Sequence, residues 1–572
     1  MSSSIAPFLI FFAGAVLVAL TRGWPRTVVL LAVPIVGALN LWALDAAEPV
    51  TVGLLDYTLT IIRADRLSML FGYVFHLAAF LGFIFALHLK DTTESVSSML
   101  YAGSALGAVF AGDMITLFIF WELMVVTSVF LILARRTERA RAAAMRYILI
   151  QVLSGVILLA GVLIRAHETG SIAFDYIGWE WGVTSLSSSL ILLAFGIKVA
   201  FPLLHTWLTD AYPEATPTGT VFLSAFTTKV AVYGLARAFP GTEMLVYVGA
   251  TMTMFPIFYA VIENDLRRVL SYSLINQLGF MVTGIGIGTE LAVNGAVSHV
   301  FVHIVYKALL FMSMGAVLFR TGKINGSDLG GLYKSMPLTT VFCIIGAASI
   351  SAFPLFSGFV AKSMVLTAAL GEGYNGVWLA LLFASAGVFH HSGIKIPFFA
   401  FFAHDSGIRC KEAPTNMLIA MFLAAFVCVF LGVYPWPLYD ILPFPVDYDP
   451  YTAAHVLTQS QLLFFSGLAF CALKLTGLYP PELPGINIDV DWFYRWWLPR
   501  GVKRLVQVFA PVDHKVRGVF IRVINKATGG TFQYTGPKGI LARPFPTGTM
   551  AFWAITLLVV YLVLYLVFGV AV

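Results

Sequence analysis

Apolar runs of 18 or more residues recur along nearly the whole of this 572-residue chain. Inside a bilayer every backbone N–H and C=O must find its partner within the protein. Runs of this length therefore read as transmembrane helices and not as the short alternating strands of a barrel. The composition agrees: 59% of residues are hydrophobic and 11% charged, where a soluble protein carries roughly a quarter charged residues. The expected fold is an all-α integral membrane protein. The opening stretch, MSSSIAPFLIFFAGAVLVALTRGWPR, lacks a basic start and a small-residue cleavage site, and reads as a retained span.

The pattern predicts about 15–16 spans. They lie near residues 5–21, 28–44, 67–89, 96–112, 114–134, 143–164, 186–207, 217–238, 244–262, 270–288, 291–319, 337–369 (broken), 376–402, 415–434, 455–475 and 549–571. Basic residues fall on alternate connections: Arg22 and Arg26, the cluster RRTERAR at 135–141, Arg267 and Arg268, Arg320, Lys323 and Lys334, Arg409 and Lys411. The other connections hold mainly acids, among them Asp45, Asp56, Asp175, Glu180, Glu243, Glu372 and Asp440, with Arg63, Arg66 and Arg165 as exceptions. The positive-inside rule puts the basic set in the cytoplasm and the N-terminus outside. The location expected is the cytoplasmic (inner) membrane of a bacterium or archaeon.

Several chemistries are excluded for the chain acting alone. The four cysteines, Cys343, Cys410, Cys428 and Cys471, lie far apart and form no CxxC or ferredoxin-like run. No glycine-rich nucleotide fingerprint and no zinc-type ligand spacing occurs. No cofactor is expected, and the chain is not an enzyme by itself. The net charge of +6 belongs to the basic loops and not to a nucleic-acid surface.

The stretch from Pro480 to about Pro546 differs from the rest. A tryptophan-rich cluster meets Arg500, Lys503 and Arg504, and HKVRGVFIRVINK follows Pro511, apolar on one face and basic on the other. It reads as an interfacial amphipathic segment, either a brace against neighbouring subunits or an anchored surface linker.

Two spans share the string Ala-Phe-Pro-Leu: FGIKVAFPLLHTW (195–207) and SISAFPLFSGFVAKSMV (349–365). Proline frees a carbonyl within a helix, which lipid tolerates mainly where the freed group faces protein or a hydrated cavity. Paired interrupted helices point to a transport site, and a lysine accompanies each copy: Lys198 and Lys362.

Glu122, in LFIFWELMVV, stands without another charge within eight residues on either side, and Lys229, in SAFTTKVAVYG, has none within seven. A charge at mid-membrane costs several kcal/mol unless paired or hydrated. Glu122 and Lys198 are either a static interhelical ion pair or a proton-loading switch. The second reading is preferred because buried pairs seldom add stability over apolar packing. His299, His303 and Lys307, spaced i, i+4, i+8 in SHVFVHIVYKALLF, form one stripe over about 12 Å of helix. Imidazole titrates near physiological pH, so three such groups in register read as part of a proton wire. His390, His391 and Lys395 either line an exit on the cytoplasmic half of their span or lie near the interface. His205 either caps its loop beside Asp210 and Glu214 or carries protons. Asp113, in a tight loop, reads as structural.

Four strings in order, FPLLHTWLTDAYPEATPTGTVFLSAFTTKVAVYGLAR (201–237), ENDLRRVLSYSLINQLGFM (263–281), HVFVHIVYKALLFM (299–312) and FPLFSGFVAK (353–362), resemble the antiporter-like proton channel family. Its members are large membrane subunits of respiratory complex I, of membrane-bound hydrogenases and of Mrp-type sodium/proton antiporters. The resemblance covers roughly residues 60–435. It implies 14 core helices with two inverted five-helix repeats, each containing a broken helix. It implies that Glu122 and Lys198 serve the first half-channel and that Lys229 is the linking lysine. His299, His303 and Lys307 would then be the central relay, and Lys362 the charge of the second broken helix. The segments expected are 1–95 (N-terminal helices), 96–239 and 240–402 (two half-channels), 403–479 (C-terminal core), 480–548 (amphipathic) and 549–572 (final span). Lysine at 362, where one complex I subunit has glutamate, fits the Mrp D-type subunit and another complex I subunit. The tail after 480 departs from the shorter D-type pattern and loosely resembles the extended end of the largest complex I channel subunit.

Three functions compete. The first is a proton-translocating subunit of a multisubunit Mrp-type cation/proton antiporter, with other membrane subunits as partners and protons and Na+ as transported ions. The second is the membrane arm of a redox-driven proton pump, such as complex I or a hydrogenase. The third is a non-transporting scaffold. No cluster of sodium ligands stands out in the spans.

Overall fold

A computed structural model describes residues 5–44, 48–54, 57–485, 487–542 and 546–569. The acidic positions Asp45 and Asp56 lie outside the described residues. The chain divides into two units, Met1–Asn487 and Ile488–Val572. Every segment read as a span contains helix. Among the described residues twelve helices are long and apolar enough to cross a membrane. Four shorter apolar helices accompany them: Pro7–Leu20, Leu186–Val199, Pro337–Ile350 and Ser357–Gly371.

The sequence reading contained no strands, but the structure adds one hairpin. Val50–Leu54 pairs antiparallel with Tyr57–Ile62, Thr51 facing Thr60 and Leu54 facing Tyr57. Both segments are rich in β-branched residues and far too short to span. Asp113 ties the hairpin to the bundle. It accepts from Thr60 N at 2.7 Å and caps the helix Met114–Leu133 through Thr116 N at 2.8 Å, as the structural reading of this residue requires. Arg63, an exception to the charge alternation, pairs with Asp175 at 2.8 Å.

At the centre of the first unit lies Glu290–Thr321, 32 residues long and buried along most of its length. It packs beside Leu266–Ile287, which lies backbone-to-backbone against Glu243–Ile262. A Cβ at Gly279 would sit 2.6 Å from the Gly249 carbonyl and 2.6 Å from Thr253 N. Small residues permit this approach, and close van der Waals packing is what holds helices together in lipid.

The two Ala-Phe-Pro-Leu strings fold identically. In the first, Phe201 N donates to Gly196 O (2.9 Å) and Ala200 N to Ile197 O (3.2 Å). In the second, Phe353 N donates to Ala348 O (3.1 Å) and Ala352 N to Ser349 O (3.1 Å). Both are Schellman caps, with alanine at the left-handed position that glycine usually holds. A turn closed by Leu204 N on Phe201 O, and by Phe356 N on Phe353 O, follows in each. Its third residue is a leucine at positive φ, where a type II turn prefers glycine. The φ values are 69° and 70° for Ala200 and Leu203, and 59° and 72° for Ala352 and Leu355. Only one other described non-glycine residue, Arg136, has positive φ. The four-letter match is therefore a shared backbone device and not chance.

A third interruption carries no proline or glycine signal. The span 217–238 breaks at Phe226 into Gly219–Ala225 and Thr227–Ala238. The Tyr101 hydroxyl accepts from Thr227 N at 3.0 Å and so caps the second piece. The helix Asn375–Val388 runs on into a π-helical turn, Phe389–Lys395.

The second unit is built on one continuous helix, Leu498–Thr535, 38 residues long. Val502, Leu505, Phe509, Val512, Val516 and Val523 follow helical spacing along one stripe, while Arg500, Lys503, Arg504, Lys515 and Arg522 lie on the opposite arc. Thr547–Phe568 is its apolar helix. Residues 480–487, expected at the head of the amphipathic segment, belong to the first unit instead.

Leu203 and Leu355 are more than half exposed, so substitutions there report on backbone conformation without disturbing the core. Leu203→Val or Leu355→Val should destabilise by about 1–2 kcal/mol, because a β-branched residue resists positive φ. The glycine variants should unfold no earlier than wild type. Thermal unfolding in detergent measures both.

Candidate functional site

The charged residues that the sequence placed in the spans form a series of separate polar clusters. Glu122 lies at the middle of Met114–Leu133 and reaches the next helix, Glu138–Thr169, at Gly155. A Cβ at Gly155 would fall on Glu122 Oε1, so glycine is what makes room for the carboxylate. Lys198 is fully buried in the last turn before the first break. Its ammonium donates to the Trp121 carbonyl at 3.0 Å and lies 3.9 Å from the centroid of the Trp121 ring. Glu122 Oε1 is buried with no hydrogen-bond partner among the described residues. Among the described residues no hydrogen bond joins the two charges: Lys198 is held by Trp121, the residue next to Glu122. The aromatic face and the carbonyl both favour a cation.

Lys229, fully buried, donates to Ser224 O (2.6 Å) and to Thr228 Oγ1 (3.2 Å). Ser224 stands in the last turn before the Phe226 break. The break therefore exposes an acceptor, and the lysine occupies it.

The stripe on the central helix is in register as the spacing predicts. His299 and His303 have ring centroids 6.1 Å apart, and the His303 ring lies 5.2 Å from that of Tyr306. The Tyr306 hydroxyl lies 3.4 Å from His299 Nε2 and donates to Gln277 Oε1 at 3.0 Å. Gln277 in turn donates to Asn276 Oδ1 at 2.6 Å. Both ring nitrogens of His303 lack a protein partner among the described residues. Lys307 donates to Ser273 Oγ at 2.9 Å.

Lys362 follows the second break and reaches back across it, donating to Ile350 O at 2.7 Å. Its ammonium is 5.0 Å from the Phe280 ring, whose other neighbour is His299 at 5.9 Å between centroids. Lys362 also lines a cavity of about 250 Å³ bounded by Ser363, Thr367, Trp378, His455 and Gln459. Gln459 donates to Ser351 O at 3.2 Å, another carbonyl at the break.

No direct hydrogen bond joins Glu122 to Lys198, Lys198 to Lys229, Lys229 to the histidines or His299 to Lys362 among the described residues. Near His205, Asp210 accepts from Arg146 Nε at 2.7 Å and Nη2 at 3.1 Å, and Glu214 pairs with Arg139 at 2.9 Å. His205 is buried, its ring 4.7 Å from that of Phe255. The sequence reading did not identify Trp121, Ser273, Tyr306 and Gln277 as the partners of the charged groups. The only signal for two of them was the run of polar residues in SYSLINQLGF, inside a span.

The profile described as "NADH:quinone oxidoreductase/Mrp antiporter, TM" matches residues 111–390. The D-type subunit of the Na(+)/H(+) antiporter of Alkalihalophilus pseudofirmus is 31% identical over 337 residues, covering 56% of this chain and 67% of that protein. Among the relatives compared, the aligned stretch spans from 52% to 69% of their own length. A chain of the Mrp complex from Dietzia sp. DQ12-45-1b superimposes with a TM-score of 0.68 at 22% identity, over 81% of this chain and 97% of that one. A chain of the membrane-bound sulfane sulfur reductase, an archaeal respiratory membrane complex, gives 0.70 at 21% identity over 97% and 99%. These two likenesses establish the fold, that of a multi-pass membrane protein. With the Alkalihalophilus relationship added, the chain belongs to the NADH:quinone oxidoreductase/Mrp antiporter family of transmembrane subunits.

Proposed function

We propose that the chain is the proton-translocating subunit of a multisubunit Mrp-type monovalent cation (Na+)/proton antiporter. Protons move along Glu122, Lys198, Lys229, His299, His303, Lys307 and Lys362, through half-channels at 96–239 and 240–402. The basic loops face the cytoplasm and the N-terminus faces outside, a topology that the charge alternation supports. Other membrane subunits complete the transporter.

One observation carries this reading. Lys198, Lys229, Lys307 and Lys362 are buried, and each holds only neutral acceptors among the described residues. Two arginines that brace the same unit are neutralised, Arg146 by Asp210 and Arg237 by Asp65 at 2.7 Å, while Arg267, which does not give up its proton, is held by carbonyls. A lysine held by carbonyls and hydroxyls can gain or lose its proton without breaking an ion pair. A scaffold would have no use for four such groups, because burying an uncompensated charge is costly.

A second reading, the membrane subunit of a redox-driven complex, rests on the C-terminal unit. An alignment over 97% of the chain takes in residues of the long amphipathic helix, and the reductase chain supplies one.

The reconstituted complex decides between the two. An added sodium pulse should collapse the proton gradient of acid-loaded vesicles with no electron donor present. A silent pulse, with acidification only on adding a reductant, would establish the redox-driven pump. In that assay Glu122→Gln and Lys198→Ala should abolish transport while the complex still assembles. Wild-type flux in both would return the scaffold. Gly155→Ala removes no charge but displaces the Glu122 carboxylate, and should cut the rate about tenfold or more, as misplaced groups do.

A further inference from the structure

His391, Lys395 and the strap of residues 476–485 have no part in the axis above. Yet three hydrogen bonds join His391 to it. Lys307 donates to Ser273 Oγ at 2.9 Å, Ser392 Oγ donates to the same oxygen at 2.8 Å, and His391 Nδ1 lies 2.9 Å from Ser392 Oγ. Since the Ser392 proton is used on Ser273, His391 Nδ1 is the donor in this arrangement. His391 Nε2, on the far side of the ring, is buried without a partner among the described residues. The π-helical turn Phe389–Lys395 presents both His391 and Ser392 to the interior, as π-turns in α-helices often do at working sites.

Four residues further on, Lys395 is fully buried and holds the carbonyls of Val261 and Glu263 at 2.6 Å each. It differs from the four axis lysines in having a carboxylate: Glu482 Oε1 at 2.9 Å. That carboxylate comes from the strap and not from a span. The strap is stiffened by Pro480, Pro481 and Pro484 and pinned by Tyr479, whose ring stacks on His390 at 5.5 Å and meets Phe470 at 5.2 Å. The Glu482 side chain keeps 6% exposure, against none for Lys395. Glu263 accepts from Asn487 at 3.2 Å and lies 3.9 Å from Arg268, which is on the basic-loop side. Burial raises the Glu482 carboxyl above its ordinary value, although Lys395 and Lys474 pull it the other way.

We infer that Glu482 and His391 form a second proton mouth on the basic-loop side, which loads Lys307 directly through Ser392 and Ser273. This rests on the proton-transport reading above. A proton taken up by Glu482 neutralises the carboxylate and releases its hold on Lys395. Carried by water from the carboxyl, it reaches His391 Nε2 as the Nδ1 proton leaves along the two hydroxyls to a neutral Lys307, one O–H or N–H bond forming as the previous one breaks. With Glu482 ionised and paired to Lys395, the mouth is shut.

The test uses the intact complex in vesicles, with assembly followed for each variant. His391→Gln keeps a hydrogen-bonding side chain at Ser392 but cannot relay a proton, and should lower flux about tenfold or more. Glu482→Gln should do the same, with Glu482→Asp recovering part of the rate. Added imidazole should restore flux to His391→Ala. A loss that imidazole does not restore would mark a packing role and overturn the proposal. Wild-type rates in His391→Gln and Glu482→Gln, with Lys198→Ala inactive, would overturn the second mouth and leave the transport reading standing. Wild-type flux in Lys198→Ala would remove the transport reading itself. If Glu482→Gln fails to assemble, the glutamine variant of His391 decides alone.

Discussion

An ammonium group inside a membrane must be held by something, and in this protein it is held mostly by backbone carbonyls, Lys307 on the Ser273 hydroxyl being the exception among the described span lysines. Lys229 takes Ser224 O, Lys362 takes Ile350 O, and Lys395 takes Val261 O and Glu263 O. All four acceptors lie at or beside the C-terminal end of a helix or helix fragment. There the last carbonyls have no partner of their own and the helix dipole favours a cation. Lys198 uses the Trp121 carbonyl and the face of the same residue's ring. Helix ends, at interruptions for Lys229 and Lys362, are therefore what make three of the buried lysines affordable, and the lysines in turn satisfy acceptors that lipid could not.

Two classes of charge follow from this. One class is closed: Arg267, fully buried, donates to the carbonyls of Pro213, Ala215 and Thr216 at 2.9–3.1 Å and so fixes the turn between the first broken helix and the Lys229 span. Arg146 with Asp210 and Arg237 with Asp65 belong with it. Guanidinium keeps its proton and suits a permanent joint. The other class is open: single amines and imidazoles facing neutral acceptors, on elements that the first class holds in place. Lysine and histidine can change protonation state, so the division of residue types between brace and axis has a physical cause.

The spans, the two proline breaks and the histidine–lysine register were legible in the sequence because each depends on a local rule: apolar length, a missing donor, or helical spacing. The partners were not. Trp121, Ser273 and Ser392 are ordinary residues in a span, and only packing decides that one faces an ammonium and another faces a histidine. The break at Phe226 was silent because its cap, Tyr101, lies 126 residues away in the chain. The hairpin was hidden between spans, where short β-branched runs carry little weight against long apolar ones. The strap was assigned to the amphipathic segment by composition, while Tyr479 and Glu482 bind it to the core through contacts that composition cannot express.

The two broken helices share their caps, their turns and their unusual alanine and leucine conformations, but not the position of the lysine. Lys198 precedes its break and leaves its own helix to hold Trp121, next in the chain to Glu122. Lys362 follows its break and holds the other fragment of the same helix. A shift of the Glu122 helix therefore acts on Lys198 directly, whereas Lys362 responds to the opening of its own break and to Phe280, the ring between it and His299. The repeated backbone device thus serves two different attachments. The first broken helix is tied to a carboxylate-bearing neighbour, and the second to itself and to the central stripe. The halves are duplicates in fold and complementary in how their charges are held.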